Sequence, residues 1–343
     1  MSRYTLTALS DAFGIQHAED EYYLRPLILG DNLFTYVAHI PPGGGVPPYP
    51  EAAQRWQIEH SLYVLDGSLR VTLRGESVTL VPHTAVRIPA GDAVEMENVG
   101  DRTASIYMAY TPSAWGPSSP REDRREVTSL DEMRAWFEQR GQRVWSPSEM
   151  NVLAGDFATL KQSLSELDDT YHSIQSEAGG QGEKLWAALW EIDGYRHEHK
   201  PHPPDDFWFR PIVSGEKHLT YIGMVPPGMG VDPSAEEAGF VEMSIYTLGG
   251  ELGCIILGED GEEEERLVLP PHQAIYAPKY VPIGFFNVGP DPASFALTFT
   301  PTRPGRESLA AFRQWAVHTA GWTVIDPGPL NEMHGDTLWD LDS

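Results

Sequence analysis

The sequence predicts an all-β protein assembled from two copies of one domain, each a jelly-roll-type barrel with a trailing helix. Three observations carry that expectation: ordered internal matches along both halves, short strands of period-two patterning, and turn residues between them. The matches begin with Tyr23-Leu24-Arg25-Pro26 against Trp208-Phe209-Arg210-Pro211 and continue with Thr35-Tyr36-Val37-Ala38 against Thr220-Tyr221-Ile222-Gly223. Both share an offset of 185 residues, as does Pro41-Pro42-Gly43 against Pro226-Pro227-Gly228. Further matches are Glu59 to Gly67 with Glu242 to Gly250, Pro82-His83 with Pro271-His272, Asn98-Val99-Gly100 with Asn287-Val288-Gly289, and Thr111-Pro112 with Thr300-Pro301. The offset drifts by a few residues, as loops of unequal length produce. This is a duplicated domain.

Taken in order, Leu69, Val71 and Leu73 alternate with polar neighbours between Gly67 and Gly75, a half-buried strand closed by turns. Short apolar runs follow at 78–81, 85–88 and 104–110, and the second copy repeats them at 251–257, 267–269, 274–276 and 295–299. Behind Ser129, Leu130, Met133 and Phe137 recur at helical spacing, and Leu309, Phe312 and Ala316 do so after Glu307-Ser308, with a stop at Gly321. Each helix leads to a Trp-bearing strand, Val144-Trp145 and Trp322-Thr323-Val324. Residues 113–125, rich in Pro, Ser and charge, predict a surface connection. Phe157, Leu160, Leu164 and Leu167 predict a linking helix over 155–170, and the Gly-, Gln- and Glu-rich stretch 175–184 a joint. The expected domains are residues 1–150, a helical linker over 151–184, and residues 185–343.

Composition narrows the function classes. Fifty acidic against 24 basic residues give a formal charge of -26, which repels nucleic-acid phosphates and anionic lipid. The single cysteine, Cys254, excludes an intrachain disulfide and fits a reducing compartment. The first residues carry no apolar core of a signal peptide, and no apolar run reaches the ~18 residues of a membrane span. The expectation is a cytoplasmic protein whose partner is a small molecule, with self-association into a homo-oligomer left open. Phosphate-binding, dinucleotide-binding and nucleophile-elbow motifs are missing from the sequence.

Pro42-Gly43, Tyr63-Val64-Leu65-Asp66-Gly67 and Pro89-Ala90-Gly91 with Asn98 resemble the two signatures of the cupin superfamily. With the duplication, the chain resembles a bicupin over residues 20–112 and 205–301. The resemblance implies a metal site of His-x-His, Glu and a later His inside each barrel. Counting back from Gly67 places Gln54, Trp56 and His60 at the first three ligand positions, and the fourth holds Val94. The second copy offers Glu237, Gly239, Met243 and Ile283. Among bicupins the chain is similar to ureidoglycine aminohydrolases through Glu237 and Tyr280-Val281-Pro282, but the other ligand residues of that family are replaced. These donor sets imply no tightly held metal and no other cofactor.

His60 is then the first catalytic candidate, since by cupin register it points into the first barrel and an imidazole exchanges protons near neutrality. Gln54, Trp56 and Arg87 are candidates to share that cavity, Arg87 as a bidentate carboxylate binder. The alternative for His60 is a hydrogen-bonded core residue. Glu237 is the second catalytic candidate, with Tyr276 as a substrate-binding residue beside it and solvation in a loop as its alternative. Glu59 and Glu242 are expected on the opposite faces of their strands. Three functions follow: metal-independent acid–base chemistry on a small polar metabolite (isomerase, lyase or hydrolase), non-catalytic ligand binding, or a metal-dependent dioxygenase or aminohydrolase in which a shifted register recruits Glu59, Glu242 or His39. Arg196 to His202 could also bind a metal, although surface placement is its plainer role, and Glu259 to Glu265 reads as an acidic hairpin tip.

Overall fold

Strand patterning fixes faces but not partners, and the computed structural model supplies the partners. It describes residues 4–17, 20–155, 185–198, 206–233, 240–258, 261–302, 308–320 and 322–325. These form two units, Leu9–Leu189 and Met1–Ala8 with Trp190–Ser343. The N-terminal unit has an eight-stranded sheet in the order Val144–Trp145, Gly14–Gln16, Tyr23–Leu29, Phe34–Ile40, Ala104–Thr111, Glu59–Asp66, Thr84–Ile88, Trp186–Ala188. A four-stranded sheet runs Gly45–Val46, Val94–Asn98, Leu69–Leu73, Glu76–Leu80. Leu62, Val64 and Met108 of the first sheet and Leu69, Val71 and Met96 of the second share one core, which makes a jelly-roll sandwich.

The C-terminal unit repeats this order strand for strand. Its edge strand is Thr5–Ala8, at the place that Trp186–Ala188 holds in the first unit. The division therefore differs from the boundaries expected at 150 and 185: the chain's first strand belongs to the second unit, and residues 186–188 belong to the first. Periodicity cannot foresee this, because it marks a strand without naming its neighbour. The expected linking helix and joint lie outside the described residues, apart from Gly155, the C-cap of the helix Pro147–Ala154.

The two expected helices stand at Leu130–Gln139 and Leu309–His318, with Ser129 and Ser308 as N-caps. Their hydroxyls accept the backbone N–H of Glu132 and Ala311, both at 3.2 Å. Two expectations are corrected. The count that sets Gln54, Trp56 and His60 at successive ligand positions presumes one strand from Gln54 to His60, but Pro50–Trp56 is a helix, ended by Gln57 in the left-handed region (φ 51°), and the strand starts at Glu59. Pro50 at the first helical position, Glu51 in the first turn, two alanines and Arg55 in the last turn outweigh the strand register. The segment 113–125 is more than a surface connection, because Ala114 and Trp115 are buried in the first core. The acidic hairpin is present, with Leu252–Leu257 antiparallel to Glu263–Leu269; residues 259 and 260 lie outside the described residues.

Several repeated motifs prove to be structural. Asn98 Nδ2 donates to the Ile40 and Arg102 carbonyls while its Oδ1 accepts from Gly100 N–H. Asn287 makes the same three bonds to Val225, Asp291 and Gly289. Tyr63 Oη lies 3.0 Å from His83 Nδ1, and Tyr246 Oη 3.0 Å from His272 Nδ1. What the copies share maintains the barrel. What differs between them is informative about function.

Candidate functional site

On the strand Glu59–Asp66, His60 stands directly opposite Tyr110 of Ala104–Thr111. Directly opposed residues share a face, so the two rings stack at a centroid distance of 4.0 Å and an angle of 18°. Tyr36, on the adjoining strand Phe34–Ile40, donates its hydroxyl proton to Tyr110 Oη at 2.6 Å, and Tyr22 Oη lies 3.1 Å from Tyr36 Oη. Met108 Sδ sits 3.0 Å from Tyr22 Oη and 3.2 Å from Tyr36 Oη. Each hydroxyl has one proton. With that of Tyr36 committed to Tyr110, Tyr22 donates to Tyr36 or to the sulfur, and Tyr110 keeps its own proton for the cavity. Burial pushes the phenols of Tyr22 and Tyr36 well above the ordinary range and raises that of Tyr110, so the chain stays neutral and acts by donating.

These groups line a cavity of about 450 Å³ inside the N-terminal unit. Its size and its mainly apolar wall, part aliphatic and part aromatic, with a few convergent polar groups, are those of a small-molecule site. Arg121 and Arg124, from the segment 113–125, also line it. The Arg121 guanidinium lies 4.4 Å from the Trp56 ring centroid, and that of Arg124 lies 4.0 Å from Trp115 and 5.5 Å from Trp136. Burial lowers both pKa values, that of Arg124 to about 9, with the charge of Arg121 as the second cause. Elsewhere on the wall, His17 Nδ1 lies 3.0 Å from Asp20, which also accepts the Tyr49 hydroxyl at 2.7 Å. Burial and that bond push Tyr49 up to about 12.

The residues expected from the sequence divide. His60 and Trp56 line this cavity. Gln54 is on the helix Pro50–Trp56 and donates through Nε2 to the Gly91 carbonyl at 2.7 Å, which ties the helix to the loop after Ile88. Arg87 pairs in register with Ser61 while His60 pairs with Ile88, so Arg87 is on the other face, away from the cavity. There its Nη2 reaches Glu59 Oε2 at 3.2 Å, with Glu59 at 1% exposure. Breaking one half of a buried ion pair costs about 3–5 kcal/mol. Glu59→Ala is accordingly expected to lower stability by that amount in urea unfolding, without rearranging the cavity.

Tyr276 is likewise opposite Ser244 on the outer face of its sheet and donates to Glu242 Oε2 at 2.9 Å. It is therefore on the face opposite Met243, which packs against the second core. Glu237 lies outside the described residues, as do residues 199–202 of the histidine cluster, whose Arg196, His197 and Glu198 end the strand Gly194–Glu198. The shifted register that would recruit Glu59, Glu242 or His39 is not adopted: all three are on outward faces, His39 with its Nδ1 2.9 Å from Ser105 Oγ.

The donor set does not fit a cupin-type metal. At the four positions of the first copy stand a helical amide bound to a carbonyl, an indole, one imidazole stacked on a phenol, and Val94. Among the described residues, no three His, Cys, Asp or Glu side chains are grouped to hold an ion.

Sequence reasoning missed Tyr22, Tyr36, Tyr110, Arg121 and Arg124. A signal for the tyrosines was present in the duplication: Phe207 and Phe299 replace Tyr22 and Tyr110, Met243 replaces His60, and of the three tyrosines Tyr36 alone keeps its phenol, as Tyr221. In the second unit Tyr221 and Phe299 keep the ring spacing, 5.3 Å against 5.2 Å for Tyr36 and Tyr110, at an interplanar angle of 56° instead of 83°. There Phe295 replaces Ile106 and its ring lies over Gly223, where a Cβ would meet Cζ at 2.5 Å. Phe285 packs 4.8 Å from Phe295, so rings fill the second core at this level.

A family model described as a cupin domain matches residues 36–110. None of the curated proteins matches the chain by sequence. Solved structures do match its fold. A glyoxylate-induced protein of Pseudomonas aeruginosa is 13% identical over 88% of this chain and 90% of its own, with a TM-score of 0.56. An oxalate decarboxylase variant of B. subtilis is 14% identical over 87% of this chain and 77% of its own, with a TM-score of 0.53. Another structure of the Bacillus subtilis oxalate decarboxylase, described for its Mn(II) centres, is 15% identical over 91% and 80%, with a TM-score of 0.51. No helix among the described residues is long and apolar enough to cross a membrane. By its match over residues 36–110, its paired jelly rolls and these structural neighbours, the chain carries a cupin domain and has the fold of a bicupin.

Proposed function

We propose that the N-terminal barrel binds a small molecule and converts it by proton transfer, with His60 as the exchanging base and Tyr110 as the hydrogen-bond donor. The observation that carries this reading is the hydroxyl chain Tyr22–Tyr36–Tyr110, ending against the His60 ring inside a 450 Å³ cavity. The second copy lacks both the imidazole and two of the three hydroxyls. A neutral phenol already polarised by an upstream donor stabilises oxygen that gains negative charge, as in an enolate or a tetrahedral intermediate. An imidazole stacked on that phenol is placed to take a proton from the same substrate and return it. Apolar walls lower the local dielectric and strengthen both interactions. The reactions open to these groups are proton abstraction beside a carbonyl followed by isomerisation or elimination, and hydrolysis through an oxyanion. The name of the oxalate decarboxylase among the neighbours supports a small acid as the substrate class.

The test is proton NMR in D2O of tag-free, chelator-treated protein with a panel of small carbonyl and carboxylate metabolites. Deuterium incorporation or product formation, lost in His60→Ala, is the expected result. Turnover that survives His60→Ala, or that arises on addition of Mn(II) alone, contradicts it. The apolar share of the wall also suits a second reading, a non-catalytic ligand barrel, which the same panel separates as binding without exchange.

A further inference from the structure

On a chain with a formal charge of -26, two guanidinium groups lie together in one cavity wall. Arg124 carries the larger share of the problem. Its side chain is largely withdrawn from water between Trp115 and Trp136, and its Nε is buried with no hydrogen-bond partner. Arg121 and Arg140 are close enough to disfavour its charge, and Arg55 does the same to Arg121. The counter-charge is thin: Asp123 stands 3.8 Å from Arg121 Nε and is half exposed. Elsewhere in the cavity wall, the Asp92 carboxylate is engaged by Arg74 at 2.7 Å.

Withdrawing like charges from water is unfavourable unless an anion joins them. The way the groups are held says which kind. An indole covering the face of a guanidinium leaves its edge, a planar fork of N–H donors, for a partner that accepts in the same plane. A carboxylate does so with two oxygens. Tyr110 is within electrostatic reach of Arg124, so an anion on the arginines lies in the same cavity as the donor hydroxyl and His60. The rest of the lining mixes aliphatic side chains with aromatic rings, Trp56, Trp115 and Trp136 among them, whose faces take a flat apolar body.

Resting on the reading that this cavity is the ligand site, we propose that Arg124 and Arg121 form its anion seat, and that the substrate class is a carboxylate carried on a planar, largely apolar body. The carboxylate engages the guanidinium edges and the body lies among Trp56, Trp115 and Trp136.

Matched probes differing only in charge test this: benzoate and 2-naphthoate against benzamide and 2-naphthamide, titrated calorimetrically into the full chain. The carboxylates are expected to bind at least about tenfold more tightly than the amides, the contrast that charge-assisted hydrogen bonds to a buried cation produce. Arg124→Met, which keeps the stem and removes the charge, is expected to erase that contrast and leave amide affinity within about twofold, while Arg124→Lys keeps part of it. The contrast in the unmodified protein needs no variant and stands even if Arg124→Met folds poorly. Equal binding of acids and amides, or carboxylate binding unchanged in Arg124→Met, overturns the anion seat and leaves the cavity reading intact. Binding of neither probe, with Trp fluorescence also unmoved, counts against both.

Discussion

His60→Ala is expected to lower turnover of a cavity substrate by about a hundred- to ten-thousandfold, the range for losing a positioned acid or base. Tyr110→Phe is the sharper companion. Phenylalanine is what the second copy carries at this position, as Phe299, at nearly the same centroid distance from its neighbouring tyrosine. The substitution should therefore leave the barrel folded and remove only the proton offered to the substrate, at an expected cost of about a hundred- to thousandfold in kcat. Single-turnover rates and melting temperatures of both variants check this. A Tyr110→Phe protein with unimpaired turnover would place the chemistry elsewhere, whatever His60→Ala does.

Acid should destabilise the fold well before its carboxylates are protonated. His39 is fully buried, and burial, helped by the nearby charge of Arg25, lowers its pKa to about 3. Burial lowers His272 to about 4. In the unfolded chain both take up a proton near pH 6.5, whereas the folded protein admits it only at those lower values. The unfolded state thus binds more protons between the two limits, and stability falls as pH drops from about 6.5. Each such histidine contributes a slope of about 1.4 kcal/mol per pH unit, so His39 alone removes on the order of 4–5 kcal/mol by pH 3. That is a large part of an ordinary domain's stability. Asp66, whose carboxyl burial raises, acts in the opposite direction, so a variant comparison isolates the imidazole. His39→Asn should flatten the urea-unfolding profile by about one proton between pH 6.5 and 3. An unchanged slope would mean that His39 takes up its proton in the folded state as readily as in the unfolded one.

Much of the fold was legible because the chain states it twice. Asn98 and Asn287, His83 and His272, and the two serine caps are repeated because each satisfies backbone or buried polar groups that any copy of this jelly roll must satisfy. The site was legible only in part. His60 was found because register alone places it inward. Arg87 was misplaced because a one-residue step reverses a strand's faces, and the pairing of His60 with Ile88 was not visible in the sequence. Gln54 followed a strand register that Pro50 and two alanines turned into a helix. Arg121 and Arg124 read as solvent-facing charges in a polar segment, and only Trp115, drawn into the core, brings that segment against the cavity. The tyrosines were within reach: they stand where the copies disagree, and a site proposed for one of two duplicated barrels is expected where their residues differ.

Equilibrium dialysis of the full chain against a mixed metabolite extract, with mass spectrometry of what it retains, addresses the central claim most directly when paired with Ala53→Trp. Ala53 lines the N-terminal cavity, and an indole there occupies the space a ligand needs. The expected result is one or a few small molecules enriched on the unmodified protein and lost from Ala53→Trp, with both proteins equally folded by circular dichroism. Retention of the same molecules by Ala53→Trp would contradict the assignment and move the site out of the N-terminal barrel.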